Sequence, residues 1–389
     1  MMLDKHLPLL LPTIFLLLAT GAWAQSVRIG AVLSATGNAA AIGQAQLRVL
    51  DALAVRLQAN GGIYGQKVEI LIRDDASIPG RTLELARQLV EDKEVHALIC
   101  CSIAAAARLV TPLVDRAGVP ALSLAPIPGE PPHPLWFFSL APSTKVLMKA
   151  LVDEAARRGA TSVGLMTFDN AFGDEAARLL AAASSEQGIV LAGEARYRPD
   201  ASVLTPEALW VASRQPDAVV VWGLTRDVRL AVDGLRKRGF TGSIYTTPDI
   251  LSPLAGGIDP TTFEGVSVPV TPVMAAEGSV VEQAERQEVT KYLTLAAESG
   301  LEKSSLAVGA PAFDAWVLLR KALEQVMVLG LSPTSAGVYR QALRDSLIGL
   351  PPVSGAAGRY DFTESLSAGA LAEGLVVVGV NGGLAAVLR

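Results

Sequence analysis

The sequence predicts an α/β fold made of two doubly wound parallel-sheet lobes, and three observations carry that expectation. Short apolar strands alternate with amphipathic helices, the alternation restarts after a proline-rich segment at 125–134, and 389 residues exceed what one ordinary core holds. Half of the residues are hydrophobic but only 5% are aromatic, and Ala and Gly are abundant, which suits helices packed closely on sheets better than a β-sandwich.

The elements follow in order. Val27–Leu33 is apolar and short enough for a buried strand. Leu47, Leu50, Leu53, Ala54 and Leu57 then recur at helical spacing, and Asn60-Gly61-Gly62 tolerates the left-handed stop. Val68–Ile72 is the next expected strand, ending in Arg73-Asp74-Asp75. After Pro79 a helix carries Leu83, Ala86, Leu89 and Val90 on one face. Val95–Cys100 reads as a strand, Ala104–Ala117 as a helix, Val119–Ser123 as a strand and Leu135–Leu140 as extended. The pattern then repeats: helix Lys145–Arg158, strand Ser162–Thr167, helix Asp174–Gln187, strands Ile189–Ala192 and Asp217–Trp222, helix Asp227–Arg238, strand Ser243–Thr246. Farther on, Thr262–Val270 reads as extended, and Val280–Ser299, Ala307–Leu329 and Thr334–Leu347 read as helices. Gly358–Phe362 and Gly374–Val380 read as closing β-structure. Strands alternating with helices call for crossover connections, hence parallel sheets covered on both faces.

At the N-terminus, Lys5 and His6 precede an apolar run, Leu7–Ala19, that Pro8 and Pro12 interrupt and that leads to Ala22-Trp23-Ala24. This is the pattern of a signal peptide over residues 1–24, cut before Gln25. The apolar core is shorter than the roughly 20 residues that span a bilayer. The mature chain is therefore expected outside the cytoplasm. With 33 Lys and Arg against 38 Asp and Glu, the charge balance gives no case for nucleic acid as a partner. Cys100 and Cys101 are neighbours, and neighbours rarely meet disulfide geometry, so they read as small buried residues at a strand end. His6, His96 and His133 show no ligand spacing, and neither metal nor cofactor is expected.

An enzyme is the competing class, since fold alone does not decide function. No Gly-x-Ser-x-Gly elbow and no phosphate loop ending in Gly-Lys-Ser/Thr is present, and Gly37 and Gly43 precede a helix without making a dinucleotide fingerprint. With the leader removed, only His96 and His133 remain as a general base.

Several short stretches carry a family resemblance. Ile29-Gly30-Ala31-Val32-Leu33-Ser34-Ala35-Thr36-Gly37, Asn60-Gly61-Gly62-Ile63-Tyr64-Gly65, Arg73-Asp74-Asp75-Ala76-Ser77, Arg116-Ala117-Gly118-Val119-Pro120, Asp169-Asn170-Ala171-Phe172-Gly173-Asp174 and Arg238-Gly239-Phe240 stand in register. In order and spacing they resemble type I periplasmic binding proteins, in particular the branched-chain amino-acid (leucine/isoleucine/valine-binding) receptors of ABC transporters. The resemblance covers almost all of the mature chain. It implies two lobes joined by a three-crossover hinge, with crossovers near Ala141, Pro269 and Arg359. Residues 25–141 plus 270–358 would form the N-terminal lobe and 142–269 plus 359–389 the C-terminal lobe. It further implies a non-enzymatic solute receptor in the periplasm, whose partner is an ABC transporter permease in the inner membrane. A ligand-presenting sensor subunit would read the same way. The duplicated halves make each chain a complete site, so a monomer is expected.

Candidate site residues lie where strands end. Cys101-Ser102-Ile103-Ala104 joins a strand to a helix, where free N–H groups and the helix dipole favour an anion such as a carboxylate. Ser102 reads equally as a helix N-cap, and the two roles are compatible. The resemblance puts Ser or Thr hydroxyls in this loop and around Ala125-Pro126-Ile127, but Ala104, Ala105 and Ile127 stand there instead. Ala104, Ile127, Ile42 and Phe172 are expected to supply apolar walls. In the second lobe Phe172 occupies the family's aromatic position, or is a core aromatic at a loop. Trp222 lines the cleft or packs between lobes. Asp249 stands close to where the family places an acid for an α-ammonium, or caps a turn before Pro253. Asp74 and Asp75 end a strand before a turn and read as structural. The expected ligand is a small, mostly apolar carboxylate such as a branched-chain amino acid, with aromatic or aliphatic acids lacking the amine as the alternative.

Overall fold

The computed structural model describes residues 26–126, 135–251, 260–275, 283–366, 368–381 and 384–387. The expected signal peptide, Ile127 and His133 lie outside these. The first run comprises β1 (Val27–Leu33), α1 (Ala40–Ala59), β2 (Val68–Asp74), α2 (Pro79–Glu91), β3 (Ala97–Cys100), α3 (Ala104–Ala117), β4 (Ala121–Ser123) and β5 (Phe137–Ser139). Its strands form a five-stranded sheet in the order β2-β1-β3-β4-β5, with every pair parallel. The inner strands β3 and β4 are buried throughout and β1 nearly so, because helices cover both faces.

The second run comprises α4 (Thr144–Arg157), β6 (Ser162–Phe168), α5 (Ala171–Glu186), β7 (Val190–Tyr197), α6 (Thr205–Ala212), β8 (Ala218–Trp222), α7 (Thr225–Lys237), β9 (Ser243–Thr246) and β10 (Val266–Val270). Its strands stand in the order β7-β6-β8-β9-β10, which repeats the order of the first sheet. Next come α8 (Pro272–Ala275), α9 (Gln283–Glu298), α10 (Leu306–Val328), α11 (Ala336–Gly349) and a small hairpin, β11 (Val353–Ser354) with β12 (Arg359–Tyr360). Buried residues of α9, α10 and α11 share one core with β1 and α1, so this segment returns to the first lobe. Finally β13 (Val376–Asn381) and β14 (Leu384–Val387) add two antiparallel strands beside β10 in the second sheet.

The chain thus passes between the two bodies three times: after β5, after β10, and between β12 and β13. Backbone hydrogen bonds tie these passages to their neighbours, from Ser139 N–H to Leu366 O at 2.9 Å and from Val273 N–H to Ala356 O at 3.0 Å. Asp314 of α10 is fully buried beside them. Its carboxylate accepts hydrogen bonds from Ala356 N–H, Ala357 N–H and Tyr360 Oη, each at 2.7 Å, which pins the turn before β12 onto the helix.

Three expectations need correction. The strand foreseen at Ile189–Ala192 extends to Tyr197, because β7 is an edge strand that alternates the partly exposed Glu194 and Arg196 with the buried Ala195 and Tyr197. The segment read as extended from Thr262 begins with a 3-10 turn, Pro260–Phe263, and becomes a strand only at Val266, after Gly265 turns the backbone at φ 70°. Helix α6 is additional to the foreseen elements.

Candidate functional site

Each sheet reverses its strand order at one place, between β1 and β3 and between β6 and β8. In open α/β sheets, ligands bind outside the carboxyl ends of the strands at such a switch point.

At the first switch point the chain runs from Cys100 through Cys101 to Ser102. The cysteines, expected as separate thiols, are bonded to each other, and both are completely buried. The backbone allows this because Cys101 adopts a left-handed φ of 72°, which turns the chain sharply as it leaves β3. Ser102 is buried as well. Its hydroxyl donates to Gln46 Oε1 at 2.6 Å and accepts from Ser34 N–H at 3.1 Å, which links the loop to α1 and to the end of β1. The N-cap of α3 is therefore Ile103 rather than Ser102. No side chain caps this helix, and no acidic residue stands in its first turn. Ile42 and Ala104 are half-buried, and Ala125 is buried, its carbonyl accepting from Ser123 Oγ at 2.7 Å. Asp74 and Asp75 fasten the neighbouring turn: Asp74 accepts from Thr36 N–H, Thr36 Oγ1 and Ala76 N–H, and Asp75 from Ser77 N–H and Thr82 Oγ1. Those donors hold the Asp74 carboxyl below its ordinary range, against a desolvation that pushes it up.

At the second switch point α5 is well capped. Asn170 Oδ1 accepts from the N–H groups of Phe172 and Gly173, and Asp174 in the first turn pairs with Arg196 at 3.1 Å. Phe172 is 43% exposed, with its ring 5.8 Å from that of Phe168. Trp222 is almost completely buried, in the core that contains Leu165 and Tyr245, and its indole Nε1 has no hydrogen-bond partner. Asp249 is exposed in the 3-10 turn Pro248–Leu251, where its Oδ2 accepts from Thr247 Oγ1 at 3.3 Å. Sequence reasoning passed over two further groups here. Tyr197 Oη and Asp227 Oδ1 are buried without hydrogen-bond partners on either side of Gly223, where an added Cβ would lie 2.2 Å from that phenol oxygen. Burial raises both groups above their ordinary pKa values. The alternation in β7 was the available signal for Tyr197.

His96 is completely buried, with both ring nitrogens engaged. Its Nδ1 accepts from Arg28 N–H at 3.0 Å, its Nε2 donates to Pro333 O at 2.9 Å, and burial lowers its pKa, so it stays neutral. Among the described residues no group of three or more His, Cys, Asp or Glu is placed to hold a metal ion, and no helix is long and apolar enough to cross a membrane. A groove of about 660 Å³ between Tyr64, Lys321, Glu324 and Pro351 contains none of the strand-end residues described above, so volume alone does not locate the site.

Solved structures share this architecture. An extracellular ligand-binding receptor from Rhodopseudomonas palustris HaA2 is 22% identical, aligning 94% of this chain with all of that one at a TM-score of 0.70. The leucine-binding protein LivK from Thermotoga maritima is 18% identical over 93% of this chain and 98% of its own, at a TM-score of 0.64. The branched-chain amino acid transporter substrate-binding protein LivJ from Streptococcus pneumoniae, solved with isoleucine, is 17% identical over 94% of this chain and 99% of its own, at 0.63. At these identities the likeness establishes the fold. No curated protein matches in sequence. The sequence pattern of the periplasmic binding protein family matches residues 26–383, and with its two α/β lobes of repeated strand order this chain belongs to that family.

Proposed function

We propose that this protein is the periplasmic ligand-holding receptor of an ABC importer, and that it takes a small, mostly apolar carboxylate such as a branched-chain amino acid between the carboxyl edges of its two sheets. The observation that carries the reading is an asymmetry between those edges. On the first, α3 begins with an uncapped turn free of acidic residues, near Ala104 and Ala125. On the second, α5 is capped by Asn170, acids stand in the first turns of α5 and α7, and Asp249 is exposed. An open helix start favours a carboxylate, and acids opposite favour an ammonium. Isoleucine in LivJ supports the same class of ligand. The leader over residues 1–24 would be removed before Gln25 on export, which N-terminal sequencing of the secreted chain reads directly.

A specific observation also favours the amine-free acids. Asp174 is already paired with Arg196, and Asp227 Oδ1 lies 3.6 Å from the Arg226 guanidinium, which leaves Asp249 to decide the matter. The test is calorimetric titration of the native chain and the Asp249→Ala variant with L-leucine, L-isoleucine and L-valine, beside benzoate and 4-methylpentanoate. For an amino acid the variant should bind roughly 30-fold more weakly or worse, the scale for stripping the partner from a desolvated charge. An amine-free acid should bind the variant as well as before or better. Saturable binding without a turnover product is the expected behaviour. If every apolar carboxylate fails while sugars or polyamines bind, the reading is wrong.

A further inference from the structure

The Cys100–Cys101 bond lies where the first sheet meets the proposed ligand. Cys100 closes β3, and its carbonyl accepts from Leu124 N–H at the end of β4, at 3.0 Å. Cys101 N–H donates to Val32 O in β1 at 3.2 Å. The next residue, Ser102, grips Ser34 and Gln46 through one hydroxyl. Two consecutive residues therefore hold the ends of β1 and β4 together, and the third ties in α1. All of this depends on the turn at Cys101, whose positive φ is unfavourable for a residue with a Cβ and persists only where the surroundings enforce it.

We propose that the Cys100–Cys101 disulfide is a redox-sensitive lock on the Ser102 loop, holding the first lobe's half of the ligand site in shape only while the bond is intact. The bond is completely buried in the cluster that includes Ala106, Ala107 and Val110 of α3. Two thiol sulfurs cannot remain at bonding distance. In a close-packed cluster they must displace something, and the left-handed turn beside them is the feature the bond helps to enforce. Reduction by an external dithiol breaks the Sγ–Sγ bond: two electrons and two protons enter, both cysteines become thiols, and the dithiol leaves as its own disulfide. The turn is then free to relax, and Ser102 withdraws from Ser34 N–H and Gln46 Oε1. The inference rests on the Ser102 loop being part of the ligand site, but the lock itself is tested without a ligand.

The first measurement is iodoacetamide labelling of the whole chain, denatured without reductant and read by mass spectrometry. No adduct is expected, and two are expected after reduction; two adducts without reduction overturn the proposal. The second is amide hydrogen exchange of the native protein with and without dithiothreitol. Exchange at Ser34 should quicken by about tenfold or more on reduction, because its acceptor has moved. Cys100→Ala combined with Cys101→Ala cannot form the bond and keeps a Cβ at the position of positive φ. It should exchange as the reduced protein does and ignore dithiothreitol. The lock is refuted if Ser34 exchanges at the same rate in both redox states, or if dithiothreitol leaves the native bond unopened. Titration with L-leucine in both states separates the readings: a redox-dependent Ser34 without leucine binding keeps the lock and removes the proposed ligand.

Discussion

Asp314 shows how much a single side chain contributes to the joint between lobes. Burial pushes its carboxyl up to about 7, against the pull of Tyr360 Oη and the amides of Ala356 and Ala357. Its folded value lies above its unfolded one, so the folded chain keeps a proton that the unfolded chain has released between roughly pH 4 and 7. Stability from this group is present below that window and is lost as pH rises through it, by about 1.4 kcal/mol per unit at the steepest. Asp314→Asn should flatten that slope, which melting temperatures from pH 4.5 to 8 would show; an unchanged slope would assign it to another group. Residue by residue, the sequence revealed types better than partners. Ser102 stood out as a polar residue at a strand end, yet its hydroxyl is committed to Ser34 and Gln46, 68 and 56 positions away, and no local pattern encodes such a pairing. The cysteines were legible as buried but not as joined, because their bond depends on a left-handed residue that nothing in the composition marks.

Among the elements, α1 and β1 meet through Gly43. An added Cβ there would lie 2.0 Å from Ser34 O, so the helix presses directly on the loop that leaves the strand. Gly43→Ala should destabilise the fold by about 1–3 kcal/mol in urea titration, since backbone rather than a flexible side chain stands in the way. Gly80, in α2, has open space where its Cβ would be, and Gly80→Ala should be neutral or gain about 0.5–1 kcal/mol. Equal effects at the two sites would remove the packing argument. The glycine that does not complete a dinucleotide fingerprint is thus explained by packing. Most elements were readable because buried strands are apolar throughout and the helices that cover them repeat at 3.6 residues. Helix α6 was not. It is short, begins beside Pro206, and leaves Leu209 and Trp210 half exposed, so it lacks a clean apolar stripe.

For the molecule as a whole, the repeated strand order gives each lobe one switch point, and on the proposed function the passages between lobes would let them approach or separate as bodies. Small-angle scattering should show compaction on saturation with L-leucine, because a ligand that touches both edges stabilises the closed state. Binding with an unchanged profile would argue against closure. The parallel sheets were legible from alternation alone, whereas the return of α9, α10 and α11 to the first core was expected only from the family resemblance: a helical stripe shows that a face is buried, not which sheet buries it. Because the chain crosses between bodies three times, neither lobe is an unbroken stretch of sequence. Exchanging a lobe with a relative requires three junctions made together, and transplanting any one gene segment delivers only part of a core. Changes of ligand preference in this architecture are therefore expected to arise by substitution in the strand-end loops, one codon at a time, rather than by trading lobes.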